Sequence, residues 1–413
     1  MDWLSEMLSW PFEWSSLHGI AEIRTPILKI AATTDAAAHK HTVQCKGDSY
    51  PEEGAAGVVF PYRKPKRLRV TESAGYRRGL KNPINKVCEA GFDISGNSFD
   101  LKVGFSCNND CIHCVVSDKK FAGDMSTPEI ISILESIHDQ YGQVTFTGGE
   151  PTIRKDFIKL LKKARSSGLR INLQTNGRQF KDRDFAANST AFLDNILIAL
   201  HSHDEKQHDL ITGKKGSWQE TVQGIKNLVS TGRAGIVSSQ TVISKSNCDN
   251  LVEICRFIDH LGIRHIHITF PHPNGSALVN FDRVVPRYSH IKKILHECFA
   301  EFGSRLIIEA VPLCYIHPYV GKVRTVDDEF SREHKRGGVD KSNSGAADSY
   351  FNDKGITGNY NEAIISEHRK SHDCTSCIYD KRCLGVWKEY YEAYRENLDL
   401  FPVKLKTKGT RLN

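Results

Sequence analysis

Cys107, Cys111 and Cys114 put three thiols within eight residues of the chain. Sulfurs that close together can meet on one thiophilic centre, so the loop suits an iron-sulfur cluster or zinc far better than magnesium or calcium. Ligand count separates the first two. Structural zinc asks for four protein ligands; this loop offers three thiols, with His113 awkwardly placed between two of them. A four-iron cubane held by three cysteines has one iron open to a small molecule. Far downstream, Cys374, Cys377 and Cys383 supply three more thiols, and Cys314 brings that group to four. Four thiols complete a tetrahedral shell for zinc and equally a fully ligated cluster.

Such loops need a rim to stand on. Phe99, Leu101, Val103 and Phe105 recur with period two, so the first cysteine loop leaves the C-terminal end of a strand, where parallel α/β sheets place their ligands. Strand patterns follow at 144–147, 171–175, 195–200, 236–243, 265–270 and 306–310. Between them run helical patterns. One opens at Ser126-Thr127-Pro128-Glu129, a capped start; others bury Phe157, Leu160, Leu161 and Ala164, or cover 217–230, 251–261 and 288–302. Alternating strands and helices imply parallel βαβ units wound by right-handed crossovers into a curved sheet. Six or seven units are too few for a closed eightfold barrel.

The same rim carries further polar motifs. Thr147-Gly148-Gly149-Glu150-Pro151-Thr152 ends the second strand, and paired glycines let a ligand approach the backbone. Gln174-Thr175-Asn176-Gly177 ends the third, and His201, Ser202, His203, Asp204, His208 and Asp209 follow the fourth. Histidines there could act as acids or bases, although exposed loops collect such residues anyway. Val242 and Ile243 suit adenine packing or plain core, and Pro271 to Gly275 closes the sixth strand. Cys248, Cys255 and Cys298 read as core, and Cys45 and Cys88 as ordinary small residues.

Cys-x3-Cys-x2-Cys with His113 before the last cysteine resembles the signature of the radical S-adenosylmethionine (SAM) enzymes. The resemblance covers about residues 98 to 312 and implies an α/β fold, the partial (βα)6 TIM-like barrel. It implies a [4Fe-4S] cluster on Cys107, Cys111 and Cys114 whose open iron chelates SAM. One electron then yields methionine and a 5'-deoxyadenosyl radical that takes hydrogen from the substrate. It further implies that Gly148, Gly149 and Glu150 hold the SAM amino group, with Thr175, Asn176 and His113 as further cofactor contacts. The C-terminal cysteines look like a twitch or SPASM auxiliary-cluster domain. A full SPASM domain has more cysteines, so Cys314, Cys374, Cys377 and Cys383 are expected to hold one auxiliary iron-sulfur cluster, with zinc the alternative.

Domain expectations follow: an N-terminal extension at 1–97, the barrel at 98–312, and an auxiliary-cluster domain at 313–413 that includes a polar insert at 322–372. The net charge of +7 in 413 residues is modest and partly sits in two distant runs, so nucleic acid is not an expected partner. Twelve cysteines, seven of them in two groups, point to a reducing compartment rather than a disulfide framework. No signal peptide or membrane span is legible. The expectation is therefore a cytoplasmic enzyme, a radical SAM oxidoreductase or maturase served by an electron donor such as flavodoxin or ferredoxin. A ribosomally made peptide to be oxidised, crosslinked or epimerised is the first substrate expectation. A sugar, alcohol or nucleoside is the second, and a non-enzymatic zinc-stabilised binding protein is the competing class.

Overall fold

The computed structural model describes residues 98–139, 141–326 and 366–404, together with three strands nearer the N-terminus. Those strands, Ile20–Arg24 (β1), Lys29–Asp35 (β2) and Lys40–Cys45 (β3), pair antiparallel in the order β1-β2-β3. The remainder of the expected extension at 1–97 and residues 327–365 of the expected insert lie outside the described residues. The chain divides into two compact units, 1–78 and 79–413, and the second holds both cysteine groups.

The second unit is built on an eight-stranded sheet. Its strands in chain order are Ser98–Lys102 (β4), Gln143–Thr147 (β5), Arg170–Thr175 (β6), Asn195–Ala199 (β7), Val237–Val242 (β8), His265–Thr269 (β9), Leu306–Glu309 (β10) and Arg324–Thr325 (β11). Spatial order equals chain order, every pairing is parallel, and β4 and β11 do not pair with each other. The sheet is thus a barrel left open by hydrogen bonding, as expected, although it has eight strands against the seven read from the sequence. The two-residue β11 adds an edge that the sequence pattern does not reveal.

Helices Thr127–Ile137 (α1), Phe157–Ser166 (α2), Arg183–Thr190 (α3), Glu205–Thr212 (α4), Ser217–Leu228 (α5), Leu251–His260 (α6) and Tyr288–Phe302 (α7) supply the crossovers. α1 starts with the expected capping box: Glu129 N–H donates to Ser126 Oγ, and Ser126 N–H donates to the Glu129 carboxylate at 2.7 Å. The apolar stripe of each helix covers the outer face of the sheet. Phe99, Leu101 and Val103 of the first strand region are buried in one core with Ile130 and Leu134 of α1 and Leu160 of α2.

The opposite face of the sheet is polar, and its side chains bond strand to strand. Ser98 Oγ meets Thr145 Oγ1 at 3.2 Å, Asn172 donates to Gln143 at 3.2 Å, and Asn195 donates to Asn172 at 2.9 Å. Nearer the C-terminal ends Thr147 donates to Gln174 at 3.0 Å, Gln240 to Thr269 at 3.1 Å, and Thr269 to Glu309 at 3.0 Å. A sheet buried on two apolar faces would read as continuous hydrophobic runs. The period-two pattern seen here arises because one face packs on the helices and the other carries these polar side chains.

Candidate functional site: two cysteine loops on one barrel

The first cysteine loop leaves β4 and is tied from several sides. Asp110 N–H donates to the Thr212 carbonyl at 2.8 Å and Ile112 N–H to the Ile211 carbonyl at 2.9 Å, both at the end of α4. Ser276 N–H donates to the Cys114 carbonyl at 2.9 Å. Arg178, just past β6, donates through Nη1 to the Asn108 carbonyl and to Asn109 Oδ1, and through Nε to Glu220 at 2.6 Å. Asn176 Nδ2 donates to Asn108 Oδ1 at 2.6 Å and lies 4.0 Å from Cys107 Sγ. Asn109 N–H donates to Cys107 Sγ at 3.4 Å.

The three thiols are close enough to disturb one another. Burial pushes the Cys111 thiol far up, and the neighbouring Cys114 and Cys107 push it further; Cys107 and Cys114 are raised too, chiefly by burial. Without a cation they stay protonated; a bound centre with positive metal would supply the missing compensation. Sulfur spacing bears on which centre. Tetrahedral zinc with bonds of about 2.3 Å needs sulfurs about 3.8 Å apart. Among the described residues, only Cys248, Asp249 and His290 bring three potential ligand atoms within 4.8 Å of one another. Neither cysteine group brings three sulfurs within that distance among the described residues.

Gly148, Gly149 and Glu150 stand beside this loop, and the structure gives them work within the chain. A Cβ on Gly148 would lie 2.3 Å from the Gly104 carbonyl oxygen, and one on Gly149 would lie 2.2 Å from that of Ser106. Gly149 N–H donates to the Gly104 carbonyl at 2.8 Å and Glu150 N–H to the Ser106 carbonyl at 2.9 Å. The Glu150 carboxylate is buried. It accepts from Thr152 N–H (3.0 Å), Thr152 Oγ1 (2.6 Å), Thr175 Oγ1 (2.7 Å) and Asn176 N–H (2.6 Å). Burial raises its pKa, with those hydrogen bonds opposing. Thr175 and Asn176 thus meet Glu150 at the same rim, and together they lock the ends of β5 and β6 around the cysteine loop.

His113 is buried under the loop, its ring edge-on to His201 at 4.6 Å, and His201 stacks on His208 at 5.8 Å. Burial pushes His113 and His208 down to about 4 and lowers His201 as well, so the three imidazoles are neutral. His113 Nε2 has no hydrogen-bond partner among the described residues. Asp204 and Asp209 have structural duties: Asp204 accepts from Gln207 N–H in the first turn of α4, and Asp209 from Trp218 N–H at the start of α5. Cys248, Cys255 and Cys298 are core, as expected, and Ile243 is core too, the second of its two expected roles.

The second group also converges. Cys314, Cys374, Cys377 and Cys383 line one cavity with Pro312, Tyr379 and Leu400. Burial and the three other cysteines push the Cys314 thiol up to about 12, with the Phe401 backbone N–H opposing. Each remaining sulfur has a polar neighbour as well: Leu313 N–H donates to Cys383 (3.4 Å), Val403 N–H to Cys377 (3.3 Å), and Ser371 Oγ lies 3.3 Å from Cys374 Sγ. Donors aimed at sulfur favour thiolate over thiol. This pocket packs on the barrel through Asp399, which accepts from Ser289 N–H (2.8 Å) and Tyr390 O–H (2.7 Å). His272 of the Pro271–Gly275 segment stacks on Trp387 at 3.8 Å and pairs with Glu367 at 3.2 Å.

Sequence reasoning missed Arg178, Asn108, Asn109 and Glu220. No motif marks them, because their relation is one of folded distance; Arg178 and Glu220 are 42 residues apart.

An open parallel barrel with a three-cysteine loop at the C-terminal end of its first strand suits a cluster-binding site, and comparison with known proteins points the same way. Residues 101–258 match the Radical SAM superfamily. The match agrees with the resemblance read from the cysteine loop, with the [4Fe-4S] cluster and SAM that it implies as cofactors, and speaks against the zinc-stabilised binding protein. A probable GTP 3',8-cyclase of Sulfurisphaera tokodaii is 28% identical over 203 residues, 48% of this chain and 64% of that protein. One from Saccharolobus islandicus is 26% identical over 187 residues, 44% and 60% of the two chains. The chain thus spans under two thirds of these relatives. Streptococcus suis SuiB bound to precursor peptide SuiA superposes with a TM-score of 0.49 at 14% identity, over 79% of this chain and 82% of SuiB. No helix among the described residues is long and apolar enough to cross a membrane.

Proposed function

We propose that Cys107, Cys111 and Cys114 hold the SAM-binding cluster and that Cys314, Cys374, Cys377 and Cys383 hold a second, fully ligated iron-sulfur cluster in a C-terminal domain. The net reaction is oxidation of a substrate bound in the barrel lumen. The observation that carries this reading is the four-thiol cavity in which every sulfur has a hydrogen-bond donor or hydroxyl beside it. A cluster with four protein ligands has no iron left to bind substrate, so it serves electron transfer. The SAM cluster supplies the radical chemistry. Hydrogen abstraction leaves a substrate radical, which reaches a two-electron-oxidised product by giving one electron to the second cluster and one proton to solvent or a base.

The protein's own residues bind, aim and shield. Arg178, Asn176 and the end of α4 fix the cysteine loop, Glu150 ties the β5 and β6 rims to it, and Gln174, Gln240, Thr269 and Glu309 offer hydrogen bonds to the guest. The first substrate reading is a ribosomally made peptide, whose backbone amides suit that polar lining. The second is a nucleotide, supported by the similarity to probable GTP 3',8-cyclases. The proposed setting is the reducing cytoplasm, with flavodoxin or ferredoxin as donor.

The test is 5'-deoxyadenosine formation by anaerobically reconstituted protein, beside a variant with Cys107, Cys111 and Cys114 changed to Ala, with candidate peptides and GTP in parallel. Product from the native chain alone, with iron and sulfide for two clusters, is expected. Zinc in place of iron at the C-terminal cysteines would sink the second-cluster assignment. Turnover of GTP but of no peptide would decide for the second substrate reading.

A further inference from the structure

We propose that Cys248, Asp249 and His290 form a solvent-open zinc site where the N-terminal ends of α6 and α7 meet. The site shares no residue with either cysteine group and does not depend on what those groups hold.

The turn Cys248–Asn250 leads into α6, and His290 lies in the first turn of α7. One carboxylate oxygen joins them: Asp249 Oδ1 lies 2.9 Å from His290 Nε2 and 3.8 Å from Cys248 Sγ. All three ligand atoms are within 4.8 Å of one another. Tetrahedral zinc with bonds of about 2.0–2.3 Å sets mixed nitrogen, oxygen and sulfur ligands about 3.3–3.6 Å apart. Both spacings to Asp249 fall within about 0.5 Å of that range, a shift that rotation of the exposed side chains supplies. A thiol together with an imidazole selects zinc over magnesium or calcium, which take oxygen ligands. Water takes the fourth position, as in other zinc sites with three protein ligands.

Burial is distributed as an entering ion needs. Cys248 is 2% exposed, whereas the His290 and Asp249 side chains are 57% and 75% exposed, so the sulfur forms the floor and the other two the mouth. The floor is rigid. Cys248 N–H donates to the Ser244 carbonyl at 2.9 Å, and the Asn247 side chain accepts from Ser244 N–H at 2.7 Å while donating to the His201 and Val242 carbonyls at 2.9 and 3.0 Å. Ligands fixed before the ion arrives lose little freedom on binding. Burial, and then the Asp249 carboxylate, push the Cys248 thiol up to about 11, with the backbone N–H groups of Cys248 and Asp249 opposing. The thiol therefore keeps its proton until a cation arrives. Zinc takes that proton's place: the S–H bond breaks, the proton passes to solvent, and the dication compensates the thiolate and the carboxylate together.

An ion at this point braces a seam. Just before His290, Tyr288 N–H donates to the Tyr390 hydroxyl at 3.1 Å and Ser289 N–H to the Asp399 carboxylate at 2.8 Å. Zinc thus ties α6 to the end of the helix on which the C-terminal cysteine segment rests.

The experiment uses the reconstituted holoenzyme, with zinc alone as the probe. Protein is dialysed to equilibrium against graded zinc concentrations, and bound zinc and iron are counted by elemental analysis. The native chain is expected to bind one zinc ion more than His290→Ala or Asp249→Asn, both changes at exposed side chains. Either variant should weaken that zinc at least about tenfold, the lower bound for losing even a supporting partner of a ligand. X-ray absorption at the zinc edge of the native protein should show one sulfur at about 2.3 Å with nitrogen and oxygen at about 2.0 Å, and Cys248→Ser should remove the sulfur alone. Should that buried change fold poorly, the two exposed variants carry the test. Zinc should also raise the melting temperature of the native protein and not that of His290→Ala. Equal zinc binding by the native chain and both exposed variants, or none by any of them, would overturn the proposal. So would a first shell made only of sulfurs, which would put the zinc on the grouped cysteines instead.

Discussion

Gly149→Ala separates two reasons for a glycine at this rim. A glycine that only admits a ligand can gain a methyl group without harm to the apo fold. Here the new Cβ would lie 2.2 Å from the Ser106 carbonyl oxygen and 2.6 Å from the Phe105 carbonyl carbon, both backbone atoms that cannot swing aside. The loop must move, at an overpacking cost of about 1–3 kcal/mol. The movement also strains two hydrogen bonds, Gly149 N–H to Gly104 and Glu150 N–H to Ser106, each worth about 0.5–1.5 kcal/mol. The sum is about 4 kcal/mol, or roughly 8 °C in melting temperature at about 2 °C per kcal/mol for a large domain. The assay is thermal unfolding of the cluster-free protein without SAM, followed by iron loading of the same variant. Gly142→Ala is the control: nothing lies within 4 Å of its Cβ position, and such a change is neutral or stabilising by about 0.4–1 kcal/mol. Gly149→Ala protein that melts with the native chain, loads full iron and loses only SAM affinity would refute the close-approach argument.

Other outcomes follow from the same geometry. His208 is held down to about 4 by burial, below its ordinary value of about 6.5, so the unfolded chain takes a proton between those values and the folded chain does not. Its contribution is therefore present above pH 6.5 and falls by about 2.5 kcal/mol by pH 4.5; His208→Gln should flatten that part of the denaturant midpoint against pH, and an unchanged slope would count against it. Arg178→Ala removes the donors to Asn108 and Asn109, and iron of the first cluster should pass faster to a chelator while the second cluster is retained; Arg178→Lys should restore little, because it lacks the fork. Cys314→Ser should lower iron and sulfide by one cluster and leave SAM cleavage in the absence of substrate intact. Unchanged iron would remove Cys314 from the ligand set.

Much of the barrel was legible because its strands alternate and its helices carry apolar stripes, so Phe99, Leu101 and Val103 or Phe157, Leu160 and Leu161 point to their faces by period alone. The three-strand sheet at 20–45 was not legible, since IAEIR, KIAATTD and KHTVQC carry too weak an alternation to be distinguished from loop. Nor was the edge strand Arg324–Thr325, which is too short to show a period and exists through its pairing with β10.

The sequence by itself determined the chemistry: three thiols in one short loop, a further four elsewhere, and the order of strands that puts the first loop at a strand end. Tertiary structure decided what holds that chemistry in place. Glu150 meets Thr175 and Asn176, Arg178 meets Asn108, and Cys314 meets three cysteines some sixty to seventy positions onward. Spacing along a chain fixes which groups share a loop or a face. Which loops meet is set by how the sheet curls and where each helix returns the chain, and those depend on packing summed over the whole core.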